Sequence, residues 1–188
     1  MKKLFITILL VVSFFPIKAE ADTPVVQMME GEIRAGFTVP LGAYHGGKAQ
    51  VSAAVGIEGR YNFKGTPWDC GVMLDLTTAL RGYEYLYNDG ADRWQNNRTL
   101  AFALTGDYNL RQGRKINPFV GTAVGVAFND VVGDKYFPTQ GTSMIFAPRI
   151  GVEFVHHIRL TAQFNLCRKG YNNFGLTVGF VLGGRPKK

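Results

Sequence analysis

The chain is poor in the residues that disulfide scaffolds and metal centres need. Two cysteines and three histidines among 188 residues exclude a cysteine-dense secreted scaffold and a Cys/His zinc cluster of ordinary spacing. His156 and His157 are adjacent, so their side chains point apart, and no further donors accompany them; no metal ligand set and no cofactor is expected. The 23 glycines form neither collagen-like triplets nor a low-complexity tract, and so they fit strand interiors where neighbouring backbones crowd. Beyond residue 21 there is no apolar run approaching the roughly 20 residues that a membrane-spanning helix takes. Any passage through a bilayer must therefore be made by strands.

What is present starts with residues 1–21. Lys2 and Lys3 precede an apolar core from Leu4 to Ile17, and Ala19-Glu20-Ala21 supplies a small-residue cleavage site. That is the pattern of a secretory signal peptide. Removing Lys2, Lys3, Lys18 and Glu20 lowers the formal charge from +7 to +5. An exported chain is not expected to meet nucleic acid, so the basic tail and the basic turn near Arg111 are read as solvated. Residues 22–29 form a short lead, 30–184 the folded domain and 185–188 a polar tail.

The domain is organised around Ala49 to Lys64. Side chains alternate between the two faces of a strand. Here the odd positions, among them Val51, Val55, Ile57, Tyr61 and Phe63, carry no charge, while the even positions collect Gln50, Glu58, Arg60 and Lys64. The same design recurs over 30–41, 68–82, 98–110, 118–129, 144–155, 159–167 and 174–183. Pooled, one face is free of charge between its ends. The other holds Glu32, Arg34, Glu58, Arg60, Asp69, Asp75, Arg81, Asp107, Arg149, Glu153 and Arg159. A soluble ligand-binding barrel has the opposite polarity. A lipid-facing Arg or Lys at the bilayer midplane costs about 2–4 kcal/mol, and this accounts for the clean face. The expected fold is all-β: an eight-stranded antiparallel up-and-down transmembrane β-barrel.

Alternate connections are long, notably 83–97 and 130–143, which predicts an extracellular end and places both termini in the periplasm. Aromatics gather at both ends of the apolar face, with Tyr61, Phe63, Trp68, Tyr108, Phe154 and Phe180 at one and Phe102, Phe128, Phe146, Phe164 and Phe174 at the other, as expected of interfacial belts. Pro148 predicts a bulge, because a closed barrel has no free edge. Cys70 and Cys167 fall at opposite ends and are expected not to be bonded. Segments such as Pro118-Phe119-Val120-Gly121-Thr122-Ala123-Val124-Gly125-Val126 and Phe174-Gly175-Leu176-Thr177-Val178-Gly179-Phe180 resemble those of small outer-membrane barrels of the OmpA/OmpX type. The resemblance rests on architecture and covers the whole exported sequence. It departs at the end, Gly183-Gly184-Arg185-Pro186-Lys187-Lys188, where such barrels often finish on an aromatic; internal Phe180 is the candidate substitute.

An eight-stranded barrel is just wide enough for its own side chains. Glu32, Arg34, Glu58, Arg60, Asp75, Arg81, Asp107, Arg149, Glu153 and Arg159 are therefore expected to pair into a lumen network. Tyr85, Tyr87, Trp94, Tyr136 and Phe137 on the long connections are candidates for surface binding. The expected function is that of a non-enzymatic outer-membrane barrel serving envelope structure or surface binding. Its partners are outer-membrane lipid, the assembly machinery and an extracellular protein or glycan, with the chain itself a monomer. The alternatives are a lipid-modifying enzyme, for which His45 and Ser143 are the nearest candidates, and a narrow pore.

Overall fold

The computed structural model describes residues 26–42, 44–83, 93–133 and 140–183. The expected signal peptide 1–21, half of the 22–29 lead and the tail lie outside the described residues. Eight long strands form the wall: β1 Met29–Pro40, β2 Ser52–Asn62, β3 Trp68–Tyr83, β4 Arg93–Asn109, β5 Ile116–Gly133, β6 Gly141–Phe154, β7 Ile158–Asn165 and β8 Asn173–Gly183. Each is antiparallel to its neighbours in sequence, and β1 pairs with β8 to close the sheet. A barrel closed in this way has no edge strand. The connections 63–67, 110–115 and 155–157 are tight and define a turn end, where β1 begins and β8 finishes. The other connections define a loop end.

The wall sorts its side chains by parity, as the alternation predicts. Ile33, Ile57, Leu104, Val124, Ile150, Val178 and Phe180 face outward and are exposed, whereas Glu32, Arg60, Asp107, Arg149 and Arg159 face the axis and are buried. An apolar band running round the whole wall exceeds anything a soluble monomer leaves in water. Trp68 meets Tyr108 edge to face at 4.9 Å, and Tyr61 meets Phe63 at 5.4 Å, both at the turn end. Phe102, expected near the outer end, shares its rung with Leu74 and Val126 and so lies mid-wall.

Three local expectations are corrected. The strand expected from Ala49 is interrupted: between the rungs Ala54↔Thr77 and Ala49↔Arg81, five residue steps oppose four. The extra residue is a bulge, and it reverses the parity of the two-residue strand Lys48–Ala49 ahead of it. Lys48 therefore shares the outward side of Gly82, and Gln50 lies beside Gly82 on the same wall. At Pro148 no residue is inserted, because the β5–β6 register runs unbroken through Thr122↔Pro148. Instead the β6–β7 ladder stops at Arg149↔Gln163 and resumes at the bridge Phe146↔Leu166, since proline has no N–H to donate. Finally, the long connections are shorter than expected. The β3–β4 ladder continues to Tyr83↔Arg93 and β5 extends to Gly133, leaving 84–92 and 134–140. In the β4 extension Gln95, Asn96 and Asn97 make both faces polar, so periodicity does not betray it, whereas the β5 extension carries Val131 inward and Val132 outward.

The apolar band makes position the determinant of cost. Val124→Arg, at mid-wall, is expected to destabilise the folded barrel by about 2–4 kcal/mol, and Asn96→Arg, beyond the band, by about 0–1 kcal/mol. Urea unfolding in phospholipid vesicles measures both, and equal losses would rule out this placement of the band.

Candidate functional site

The lumen is built from the inward set. On one side β3 to β6 line it with Met73, Ala101, Ala103, Ala123, Ala127, Ile145 and Ala147. These mostly small residues leave room for long side chains to cross the lumen. Arg149 crosses from β6 and takes two carboxylates at once: Nη1 and Nη2 donate to Glu58 at 2.7 and 2.6 Å, and Nε and Nη2 to Asp107 at 2.8 Å each. Asp107 also accepts from Arg159, whose guanidinium lies 3.7 Å from Glu32. Glu32 in turn accepts from Arg60, which stands 3.9 Å from Glu58. Glu58, Arg149, Asp107, Arg159, Glu32 and Arg60 thus close a ring of alternating charge contributed by β1, β2, β4, β6 and β7. Bidentate arginine–carboxylate pairing of this kind fixes geometry as well as energy.

Further groups extend the ring towards each end. Arg34 binds Glu58 at 2.6 Å and Asp75 through Nε and Nη2 at 3.1 and 2.8 Å. Glu30 accepts from Arg60 at 3.0 Å, and Glu153 lies 3.7 Å from Arg159. Asp69 is held by Asn109 at 2.6 Å, but its Oδ1 has no hydrogen-bond partner among the described residues. Arg159 also stacks over Phe119, with its guanidinium carbon 3.4 Å from the ring centroid. Space for these side chains comes from facing glycines: a methyl at Gly121 would collide with Asp107, and one at Gly179 with Glu32. Above the ring, Arg34, Asp75, Thr77, Gln163 and Thr177 border a cavity of about 10 Å³, which has room for about one water.

Arg81 was expected in this network and stands apart from it. It lies six residues beyond Asp75, about 20 Å along the strand, and among the described residues its bonds go to carbonyls. Nη1 donates to Gly170 O at 2.7 Å and Nη2 to Leu41 O at 3.2 Å, with the Tyr44 ring 5.4 Å away. Asn97 donates to the same Gly170 carbonyl at 2.8 Å. Together with buried Tyr44 and Tyr171, these bonds fold the connections 41–47 and 166–172 over the mouth. Gly170 has φ +91°, and a side chain there would strike the Tyr44 ring, so both backbone and packing require glycine. At the turn end Gln112 folds back to donate to Asn62 at 3.1 Å.

The sequence reading missed this cap and the inward Phe119. Parity alone would have found Phe119, whereas the cap depends on connections that carry no periodicity. Of the surface-binding candidates, Trp94 lies on β4 opposite Gly82, on the outer wall and not in a loop. Tyr85, Tyr87, Tyr136 and Phe137 lie outside the described residues. Ser143 Oγ accepts from Asn129 at 2.8 Å, and His45 packs edge-on to Tyr44 at 4.5 Å; no hydrogen bond joins His45 to Ser143 among the described residues. Cys70 and Cys167 are free. Among the described residues no cluster of three or more His, Cys, Asp or Glu could hold a metal.

No protein-family model matches the chain, and no curated protein sequence matches it. Solved structures do. Neisserial surface protein A superposes with a TM-score of 0.54 at 11% identity, covering 82% of this chain and 96% of that one. The outer membrane protein OprG from Pseudomonas aeruginosa gives 0.54 at 14% identity, covering 86% and 99%. The fold is that of the small eight-stranded outer-membrane β-barrels.

The two kinds of lumen carboxylate predict opposite responses to substitution. Arg149→Met strips Glu58 and Asp107 of their shared cation and is expected to cost about 3–5 kcal/mol. Asp69→Asn, at a carboxylate with one oxygen unpartnered, is expected to be neutral or stabilising. The test is the shift of the urea midpoint at constant slope.

Proposed function

We propose that the protein is a closed, non-enzymatic barrel of a Gram-negative outer membrane, acting through its outer surface and its lipid contacts and not through its lumen. The observation that carries this reading is the filled interior. A ring of guanidinium and carboxylate groups crosses the axis, the cavity above it has room for about one water, and folded-over connections cap the mouth. A conducting path needs continuous hydration, and the ring leaves no width for it. The tight turns at one end and longer connections at the other support a periplasmic turn end and an extracellular loop end.

Catalysis finds little support in the geometry. A hydrolase needs nucleophile, base and orienting group within hydrogen-bond reach, and Ser143 is engaged by an asparagine. Binding is assigned instead to the loop end, where 84–92 and 134–139 carry Tyr85, Tyr87, Tyr136 and Phe137, with Trp94 at their base. The partner class is an extracellular protein or glycan, and the barrel works as a monomer inserted by the outer-membrane assembly machinery. Nucleic acid has no part in it.

Two measurements test this reading. In planar bilayers the wild-type protein is expected to hold the baseline current, whereas the double variant Glu58→Ala/Arg149→Ala opens discrete steps; steps from the wild type would overturn the closed-barrel reading. An epitope inserted within 84–92 is expected to be detected on intact cells, and removal of 84–92 and 134–139 to abolish adhesion to immobilised proteins and glycans without loss of the heat-dependent gel shift. Unchanged adhesion would remove the surface role.

A further inference from the structure

The outer wall near the loop end carries a feature that the lumen does not explain. Climbing β3 and β4 on their outward side, the last apolar rung is Leu76↔Leu100. The next is Thr78↔Arg98, where Arg98 is half exposed and paired with Asp130 at 2.8 Å. A half-exposed ion pair on this face marks the edge of the hydrocarbon. Above it come Leu80↔Asn96 and Gly82↔Trp94, flanked by Lys48. Successive outward residues rise about 7 Å along a strand, so with strand tilt these two rungs stand roughly 5 and 10 Å above the ion pair. The lower lies in the headgroup layer and the upper at its outer margin, because the polar regions add about 5–8 Å to each side of the hydrocarbon.

At this height the wall is indented. A groove of about 460 Å³ is lined by Lys48, Gln50, Gly82, Arg93, Trp94 and Asn96, among others. Its chemistry is mixed in a particular way: outward Lys48, two amides, Leu80 and an indole that is 48% exposed stand over a floor where Gly82 contributes no side chain, while Arg93 and Tyr83, which share an inward rung, border it from the mouth side. The bulge before β2 turns Lys48 and Gln50 onto this face. Leu80 lines the groove and stands two outward positions above Leu76 on β3, so the groove opens towards the lipid-facing band and a lipid is the occupant that fits entry from that side.

The geometry points to a binding site for the phosphorylated sugar headgroup of an outer-leaflet glycolipid. Lys48 and Arg93 meet phosphate, Gln50 and Asn96 meet sugar hydroxyls, and a sugar ring lies on Trp94, while the acyl chains run down the Leu76 and Leu100 wall. The site rests on the orientation proposed above, since only an extracellular loop end faces that leaflet.

The test uses the full-length barrel folded in neutral detergent with Trp68→Phe, which leaves Trp94 as the sole tryptophan of the two. Titration with lipid A is expected to change Trp94 emission saturably. Lys48→Ser and Arg93→Gln are each expected to weaken binding roughly fivefold, at about 1 kcal/mol per basic side chain, and Lys64→Ser at the turn end to leave it unchanged. Dephosphorylated lipid A is expected to bind more weakly. An equal response to phosphatidylglycerol micelles or to inorganic phosphate would overturn the assignment, as would unaltered affinity in Lys48→Ser, whose folding is checked by the heat-dependent gel shift. Because this titration is blind to orientation, its failure is distinguishable from failure of the intact-cell epitope assay.

Discussion

The structure depends on a single electrostatic constraint. Charges placed inside an eight-stranded wall must neutralise one another there, because water is nearly absent. An isolated buried ion costs several kcal/mol, and removing one partner of a buried pair is far worse than never having had the pair. The ring answers this by giving each carboxylate two guanidinium neighbours. Glu58 lies between Arg149 and Arg60, Asp107 between Arg149 and Arg159, and Glu32 between Arg159 and Arg60. Glycines on the adjoining strands and alanines on the facing wall follow from the same constraint, since crossing arginines need the space.

The outward face obeys the complementary rule. Lipid offers no hydrogen bonds, so the backbone must satisfy itself, which a closed antiparallel sheet does along its ladders, with the interruption at Pro148 as the exception. Apolar side chains can then be left outward without loss, and the exposed Ile, Leu, Val and Phe of the wall are the outcome. Inside and outside are thus solutions to one problem, the absence of water on either side of the sheet.

Much of this was legible in the sequence, for a definite reason. Parity has a period of two, and a wall with one charged and one uncharged face writes that period into every strand; the inward Glu32, Glu58, Asp107 and Arg149 followed directly. Where both faces become polar, as at Gln95 to Arg98, the signal vanishes, and β4 was begun five residues late. A one-residue bulge shifts parity without any compositional mark, which is why Gln50 was placed on the wrong face. Arg81 shows a different limit: parity sets the side of the sheet but not the height, and this arginine serves the mouth and not the ring. Tyr44, Tyr171 and Gly170 were invisible because the cap is made by irregular backbone.

The ring also bears on how the barrel comes to exist. Its members are scattered from Glu32 to Arg159, so a chain emerging from its N-terminus holds Glu32, Glu58, Asp75 and Asp107 long before Arg149 and Arg159 arrive. A half-built sheet would present those carboxylates to hydrocarbon with too few counter-charges. Only Arg34 and Arg60 of the network's arginines accompany them, so strand-by-strand insertion into bare lipid would carry that cost until the seventh strand completes the electrostatics, just before the eighth completes the wall.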